Sequence, residues 1–193
     1  MAGIHVVAVF CGSRAGADTA FAEAAQALGR GLAEAGITLI YGGGRVGLMG
    51  IMADAAIAAG GQVEGVIPEF LVKSEVAHAG LSALEVTDSM HSRKRRMFEL
   101  ADAFVSLPGG IGTLDETIEV LSWRQLRLHA KPILICDVAG SARGFVGAID
   151  AAVEQGFADA SIRGFFEVLD GAVAVLACLH ALPAGTAGAA DRL

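Results

Sequence analysis

One segment concentrates groups able to act on a ligand: Ser106-Leu-Pro-Gly-Gly-Ile-Gly-Thr-Leu-Asp-Glu116. Its glycines, Gly109, Gly110 and Gly112, lie where a strand-like run, Ala103-Phe104-Val105, gives way to a helical run reaching about Leu128. A glycine turn in that setting leaves backbone N–H groups free to face an anion, and the helix dipole adds partial positive charge. Without Cβ atoms the backbone can approach a phosphate closely. Glu116 sits one turn into the helix. A carboxylate beside a phosphate cradle points to reaction on the ligand and not to capture alone. Thr113-Leu-Asp-Glu116 also reads as a capping box, with Thr113 as cap and Glu116 reaching back to its N–H. A plain cap, however, does not require so many neighbouring glycines.

A second helical run, 89–101, supplies cations. Met90, Met97 and Ala101 form one apolar stripe at about 100° per residue. Arg93 and Lys94 flank that stripe on its inward side, whereas Arg95, Arg96 and Glu99 point the other way. An arginine beside an apolar stripe must snorkel out, pair with a carboxylate, or meet an anionic ligand.

The rest of the chain reads as a frame for these two helices. Short continuous apolar runs at 4–10, 37–41, 62–67, 82–86, 103–107 and 132–137, with a weaker one near 165–169, suit parallel strands buried on both faces. Helical runs at 18–35, 47–59, 89–101, 113–128, 143–156 and 171–180 alternate with them. The pattern predicts an α/β fold, a Rossmann-like doubly wound parallel sheet flanked by helices. Residues 1–181 are expected to form one domain, and the Gly- and Ala-rich stretch 182–193 a mobile tail.

Ligands of such sheets bind beyond the carboxyl ends of the strands. Three glycine loops fall there: Cys11-Gly12-Ser13-Arg14, Gly42-Gly43-Gly44 with the run on to Gly50, and the 108–113 loop. Together they point to a nucleotide-sized ligand. Gly42-x-Gly44-x-x-Gly47 formally matches the dinucleotide fingerprint, with Glu64 at a following strand end. It follows the second strand, however, where the fingerprint normally occupies the first βα unit, and close helix–strand packing is the competing account of Gly47 and Gly50.

The 193 residues carry a formal net charge of −7, which argues against a nucleic-acid partner. The apolar stretches are broken well short of about 18 residues, so no membrane span is expected. The N-terminus shows no basic n-region, and Ile4 to Phe10 reads as a strand. Cys11, Cys136 and Cys178 are widely spaced. They fit reduced thiols in a cytoplasmic protein, with neither a metal nor a cofactor expected.

The helix 113–128 has two apolar faces. Leu114, Ile118, Leu121 and Leu128 are expected against the sheet. Val120 and Trp123 lie opposite, with Glu116 and Arg127. A second subunit is expected to cover that second face, giving a homodimer or a higher homo-oligomer.

Taken together the motifs resemble the Lonely Guy family of cytokinin-activating phosphoribohydrolases. The resemblance rests on Cys11-Gly-Ser, Tyr41-Gly-Gly-Gly-Arg-Val-Gly-Leu-Met-Gly50, Gly65-Val-Ile-Pro68, Met90-His-Ser-Arg-Lys94, Ala101-Asp-Ala-Phe104, Leu107-Pro-Gly-Gly-Ile-Gly-Thr-Leu-Asp-Glu116, Trp123-Arg-Gln-Leu126 and His129-Ala-Lys-Pro132, and spans residues 4 to about 169. It implies hydrolysis of the N-glycosidic bond of a nucleoside 5′-monophosphate, AMP or isopentenyladenosine monophosphate, to free base and ribose 5-phosphate. Arg93 and Glu116 would be the catalytic pair. Glu75, Met90, Arg93, Lys94, Ser122 and the stretch Gly109, Gly110, Ile111, Gly112, Thr113, Leu114, Asp115 and Glu116 would contact substrate, joined by Gly12, Ser13, Gly43 and Gly44 of the other loops. Arg14, Ile111 and Ser122 depart from residues frequent in the family, which bears on base preference. Proteins with these motifs have been labelled lysine decarboxylases. Such chemistry commonly needs a Schiff-base lysine, and none of Lys73, Lys94 and Lys131 has a convincing setting for one. A non-catalytic nucleotide carrier or sensor is the alternative. It would keep the glycine loops without needing Glu116 beside Arg93.

Overall fold

The computed structural model describes residues 3–72 and 77–182. Seven strands, β1 (Val6–Phe10), β2 (Thr38–Tyr41), β3 (Val63–Pro68), β4 (Ala83–Thr87), β5 (Ala103–Ser106), β6 (Ile133–Asp137) and β7 (Glu167–Asp170), alternate with six helices. The helices are α1 (Thr19–Glu34), α2 (Gly47–Ala58), α3 (Met90–Leu100), α4 (Ile111–Gln125), α5 (Arg143–Glu154) and α6 (Gly171–Ala181). All strand pairs are parallel, in the order β4-β3-β2-β1-β5-β6-β7. The expected doubly wound sheet is therefore the observed one. The expected tail lies, apart from Leu182, outside the described residues.

The apolar runs produce this layering because both faces of the central strands are covered. Val7, Val9, Leu39 and Val105 pack with α1, α2 and α6 in one core. Ala8, Phe10, Ile40 and Phe104 pack with α3, α4 and α5 in the other. Close contact needs small residues at two points on the first face. A Cβ on Gly29 of α1 would lie 2.2 Å from the Met52 carbonyl oxygen of α2. One on Gly50 would lie 2.2 Å from the Arg45 carbonyl oxygen. The backbone that Gly50 meets belongs to the loop before α2, and a Cβ on Gly47 would meet the Ser13 backbone of the loop after β1 at 2.3 Å. Both glycines thus allow close packing, against loops and not against a strand as expected.

Chain order reverses between β1 and β5, which start consecutive windings in opposite directions. A crevice opens at such a point beyond the strand ends. Gly12 follows β1, and Pro108 to Gly110 follow β5. The Gly12 N–H donates to the Pro108 carbonyl at 3.1 Å, and the Leu107 N–H donates to that of Phe10 at 2.9 Å. The fingerprint-like loop follows β2, one strand away from this point, as its place in the sequence indicates.

Helix α4 differs from expectation at both ends. It begins at Ile111 with Gly110 as N-cap and no side-chain cap, and the Leu114 N–H donates to the Gly110 carbonyl at 3.1 Å. Thr113 is therefore a residue of the first turn and not its cap, so the expected capping box does not form. The glycines allow this earlier start. At the other end Arg127 adopts a left-handed φ of 61°. Its N–H donates to the Arg124 carbonyl and that of Leu128 to the Trp123 carbonyl, at 3.0 and 2.9 Å. This is a Schellman closure, and it takes Leu128 off the helical stripe.

The buried face of α4 also differs. Thr113, Glu116, Thr117, Val120 and Leu121 are buried, while Leu114 and Ile118 are each 41% exposed. Val120 is 3% exposed, and Trp123 meets Phe98 edge-on at 4.9 Å between centroids. The expected subunit contact through Val120 and Trp123 is thus corrected, because both belong to the core of their own chain. Periodicity offered two apolar faces, and the face carrying Glu116 and two threonines was the less apolar. It is buried because its polar groups find partners within the fold.

Candidate active site

Helix α3 begins at the carboxyl edge of the sheet, where the Ser89 hydroxyl caps it by accepting the Ser92 N–H at 3.1 Å. One turn in, Arg93 points across the sheet edge. A guanidinium nitrogen of Arg93 lies 3.3 Å from a Glu116 carboxylate oxygen, with side chains only 7% and 9% exposed. Its Nη1 donates to the Met90 sulfur at 3.8 Å. Its Nε is buried without a hydrogen-bond partner among the described residues. An ion pair withdrawn from water in this way costs desolvation energy that a surface pair avoids.

The sheet edge itself makes room for Arg93. A Cβ on Gly42, at the end of β2, would sit 2.3 Å from Arg93 Nη2 and 3.1 Å from the Met49 sulfur. Gly42 was not among the expected site residues. In the sequence it read only as the first glycine of Gly42-x-Gly44-x-x-Gly47.

Lys94 is tied to the same helix. Its Nζ lies 3.1 Å from both Asp115 and Glu119. Burial would lower its pKa, but the hydrogen bonds and charges of Glu119 and Asp115 outweigh that and raise it above the ordinary lysine value. Successive residues of α3 thus pair with carboxylates of α4, which fixes the two helices side by side. Glu119 was not foreseen. Its spacing of four from Asp115 on one helix face was the available clue.

The α4 N-terminus supplies the anion cradle. The amides of Ile111, Gly112 and Thr113 have no partner within the helix, as first-turn N–H groups do not. A Cβ on Gly110 or Gly112 would meet nothing within 4 Å, so both backbones face open space. Gly109 is needed for packing, since its Cβ would lie 2.1 Å from Thr113 Oγ1. The Thr117 hydroxyl donates to the Thr113 carbonyl at 2.7 Å, so Ser106 Oγ, 2.6 Å away, donates to Thr117. The turn is anchored from beneath while its upper surface stays open.

The remaining expected residues divide. Gly12 and Ser13 lie at the crest of the crevice. Gly43, with φ of +76°, accepts the His78 N–H at 3.0 Å, and Gly44 bridges Ala77. The His78 ring contacts Asp54 at 3.0 Å and accepts the Gly80 N–H, which fastens this segment to α2. Ile111 and Ser122 are exposed on α4 and do not line the crevice, whereas Leu114, also exposed, lines it with Gly12 and Ser13. Glu75 lies outside the described residues, as does Lys73. The described lysines are both engaged. Lys131 is buried, donates to the Phe98 carbonyl at 2.6 Å and stands 4.3 Å over the Phe98 ring.

The chain is similar to several known proteins. The family model described as "Possible lysine decarboxylase" matches residues 49–179. A cytokinin riboside 5′-monophosphate phosphoribohydrolase of Rhodococcoides fascians is 44% identical over 174 residues, 88% of each chain. One from Arabidopsis thaliana is 41% identical over 157 residues, 81% of this chain and 74% of that protein. Among solved structures, the molybdenum cofactor carrier protein of Chlamydomonas reinhardtii shares the fold with a TM-score of 0.69 at 21% identity, covering 91% of this chain and 95% of that one. On the extent of the family match and the identity to its relatives, the chain belongs to the Lonely Guy family of cytokinin riboside 5′-monophosphate phosphoribohydrolases, whose shared model bears the decarboxylase description.

Proposed function

We propose that this chain hydrolyses the N-glycosidic bond of an adenosine 5′-monophosphate, with or without an N6 substituent, to free base and ribose 5-phosphate. The observation that carries the reading is the buried Arg93–Glu116 pair beside the open first turn of α4. Cleavage of this bond passes through a ribosyl cation, so a carboxylate near C1′ stabilises developing charge and can orient or deprotonate the attacking water. The first-turn amides and the dipole of α4 take the 5′-phosphate. That contact, remote from the bond that breaks, positions C1′. Arg93 holds the carboxylate in place.

The decarboxylase description suits the residues poorly. Lys94 and Lys131 are both held by partners that a Schiff base would have to displace. The structural likeness to a cofactor carrier, at 21% identity, bears on the fold alone. A carrier would gain nothing from a desolvated carboxylate beside its phosphate cradle.

The reading extends to assembly. Ile111, Leu114, Ile118 and Leu126 form an exposed apolar strip on α4, with Ile111 81% and Leu126 68% exposed. A second copy of the chain covers this strip. Such a contact brings Ser122 and Ile111 of one chain toward the site of the other, giving those two family positions a place they lack in one chain. The chain carries no helix, among its described residues, long and apolar enough to cross a membrane, which is consistent with a cytoplasmic enzyme. Incubation with AMP and with isopentenyladenosine monophosphate, followed by assay of free base, tests the reaction. Release of neither base would overturn it.

A further inference from the structure

A phosphate seated on the first turn of α4 is short of positive charge. A phosphate monoester carries about −1.5 to −2 at pH 7, whereas a helix N-terminus offers roughly half a positive charge. Arg93 does not make up the difference, because Glu116 already pairs with it. Lys94 is likewise held between Asp115 and Glu119. The chain as a whole carries a formal net charge of −7. A dianion bound at this turn calls for one more cation.

The crevice above that turn contains one. It has a volume of about 470 Å³, with Gly110 and Thr113 on its α4 side and Ser13 and Arg14 on the side of the β1 loop. Among the described residues that line it, Arg14 is the only charged one, so no carboxylate of the lining competes for it. Arg93, Arg95, Arg96 and Arg163 each meet a carboxylate. Arg14 is exposed and meets none among the described residues.

The backbone holds Arg14 beside the turn. The Gly12 N–H donates to the Pro108 carbonyl at 3.1 Å, and the Gly12 carbonyl accepts the Leu48 N–H at 3.0 Å, so the loop after β1 is fastened on both sides. A Cβ on Gly12 would lie 3.0 Å from the Arg14 carbonyl oxygen and 3.3 Å from the Gly109 Cα. Arg14 and the glycine turn before α4 therefore approach each other across Gly12, within the reach of an arginine side chain.

We infer that Arg14 binds the 5′-phosphate of the substrate, closing on it from the β1 loop while the first-turn amides of α4 hold it from the other side. The inference rests on the proposed function for the place of the phosphate, and adds the residue that makes the site selective for it. The planar guanidinium meets two phosphate oxygens at once. The departure from the family at Arg14 then bears on the phosphate and not on the base.

Two measurements test this. Ribose 5-phosphate, which is not turned over, is titrated calorimetrically into the native chain and into Arg14→Ser, Arg14→Lys and Arg45→Ser. Arg45 is also exposed and lies on the adjoining loop, but does not line the crevice, so its loss changes the net charge equally. Arg14→Ser should weaken binding at least about tenfold, as expected for a lost charge-assisted contact. Arg14→Lys should fall between the two, because it keeps the charge without the fork. Arg45→Ser should stay close to native. With AMP as substrate, the loss in Arg14→Ser should appear chiefly in KM and lower the ratio of kcat/KM for AMP to that for adenosine. Native-like ribose 5-phosphate binding by Arg14→Ser, in a chain that releases base from AMP, would overturn the inference and leave the hydrolytic reading intact. So would an equal loss in Arg45→Ser, or a fall in kcat with KM unchanged. Arg14-dependent binding of ribose 5-phosphate by a native chain that releases no base would sink the hydrolytic reading and leave this one standing.

Discussion

The guanidinium of Arg93 occupies the space that a side chain on Gly42 would fill, with Nη2 only 2.3 Å from the position of the missing Cβ. A strand-end glycine and a helix arginine, remote in sequence, thus set one geometry. Arg93 reaches Glu116 because Gly42 lets it pass. Gly42→Ala should therefore displace Arg93, whose flexible side chain can yield without unfolding the sheet. Turnover is expected to fall at least about tenfold, since small displacements of a positioned group are costly. Gly112→Ala, which meets nothing within 4 Å, should leave the fold unchanged. Wild-type turnover by folded Gly42→Ala would refute the link between this glycine and the catalytic pair.

Glu116→Gln keeps the shape of the side chain and removes its charge. It should reduce turnover by about two orders of magnitude or more, while nucleotide binding largely survives. Arg93→Lys should fail as well, because an ammonium cannot reproduce the planar fork. Removing one member of a buried pair also destabilises the fold, so melting curves must accompany the kinetics. The role of either residue would be rejected by near-native kcat in its folded variant.

The open first turn of α4 predicts a strong preference for phosphorylated substrate. AMP should be cleaved with a far higher kcat/KM than adenosine, because the phosphate contact positions C1′. Equal values for the two would remove the cradle from the mechanism.

His129 makes stability depend on pH. Burial, opposed by the hydrogen bond to the Val120 carbonyl and reinforced by the charges of Arg124 and Lys131, lowers its pKa from 6.5 to about 4. Between these values the unfolded chain binds more protons than the folded one, so stability rises with pH there. The contribution is complete above pH 6.5 and is lost as pH falls toward 4, in total on the order of 3 kcal/mol. Urea midpoints measured across this window should decline on acidification, and His129→Gln should flatten the decline. An unchanged slope in that variant would assign the acid sensitivity to other groups.

The elements themselves were legible in the sequence because continuous apolar runs and helical stripes alternate regularly. So was the Arg93–Glu116 pairing, through the resemblance of Met90–Lys94 and Pro108–Glu116 to family motifs. What was not legible depends on tertiary contacts. Thr113 looked like a cap, yet Gly110 starts the helix and Thr113 packs beneath Gly109. Gly42 looked like part of a fingerprint, yet it clears a path for Arg93. Glu119 attracted no notice because its partner, Lys94, lies on another helix. The faces of α4 were exchanged in part, with Leu121 buried as expected but Leu114 and Ile118 exposed, because hydrophobicity counts a threonine or glutamate as outward-facing unless the partners that satisfy it are known.

That exchange moves the test of assembly to other residues. Val120→Arg would place a charge in the core of one chain, at a position 3% exposed, and should unfold it instead of reporting on association. Ile118 is 41% exposed and lies between Leu114 and Ser122 on the outer face of α4. Ile118→Arg should leave the monomer folded, since the side chain can extend into water. Within a symmetric contact the same substitution places two like charges near each other, once from each chain. Sedimentation should then show dissociation at concentrations where the native chain is associated. Base release should fall along with it, because Ser122 and Ile111 of the partner no longer reach the site. A native chain that sediments as a fully active monomer would refute both the contact and its part in catalysis.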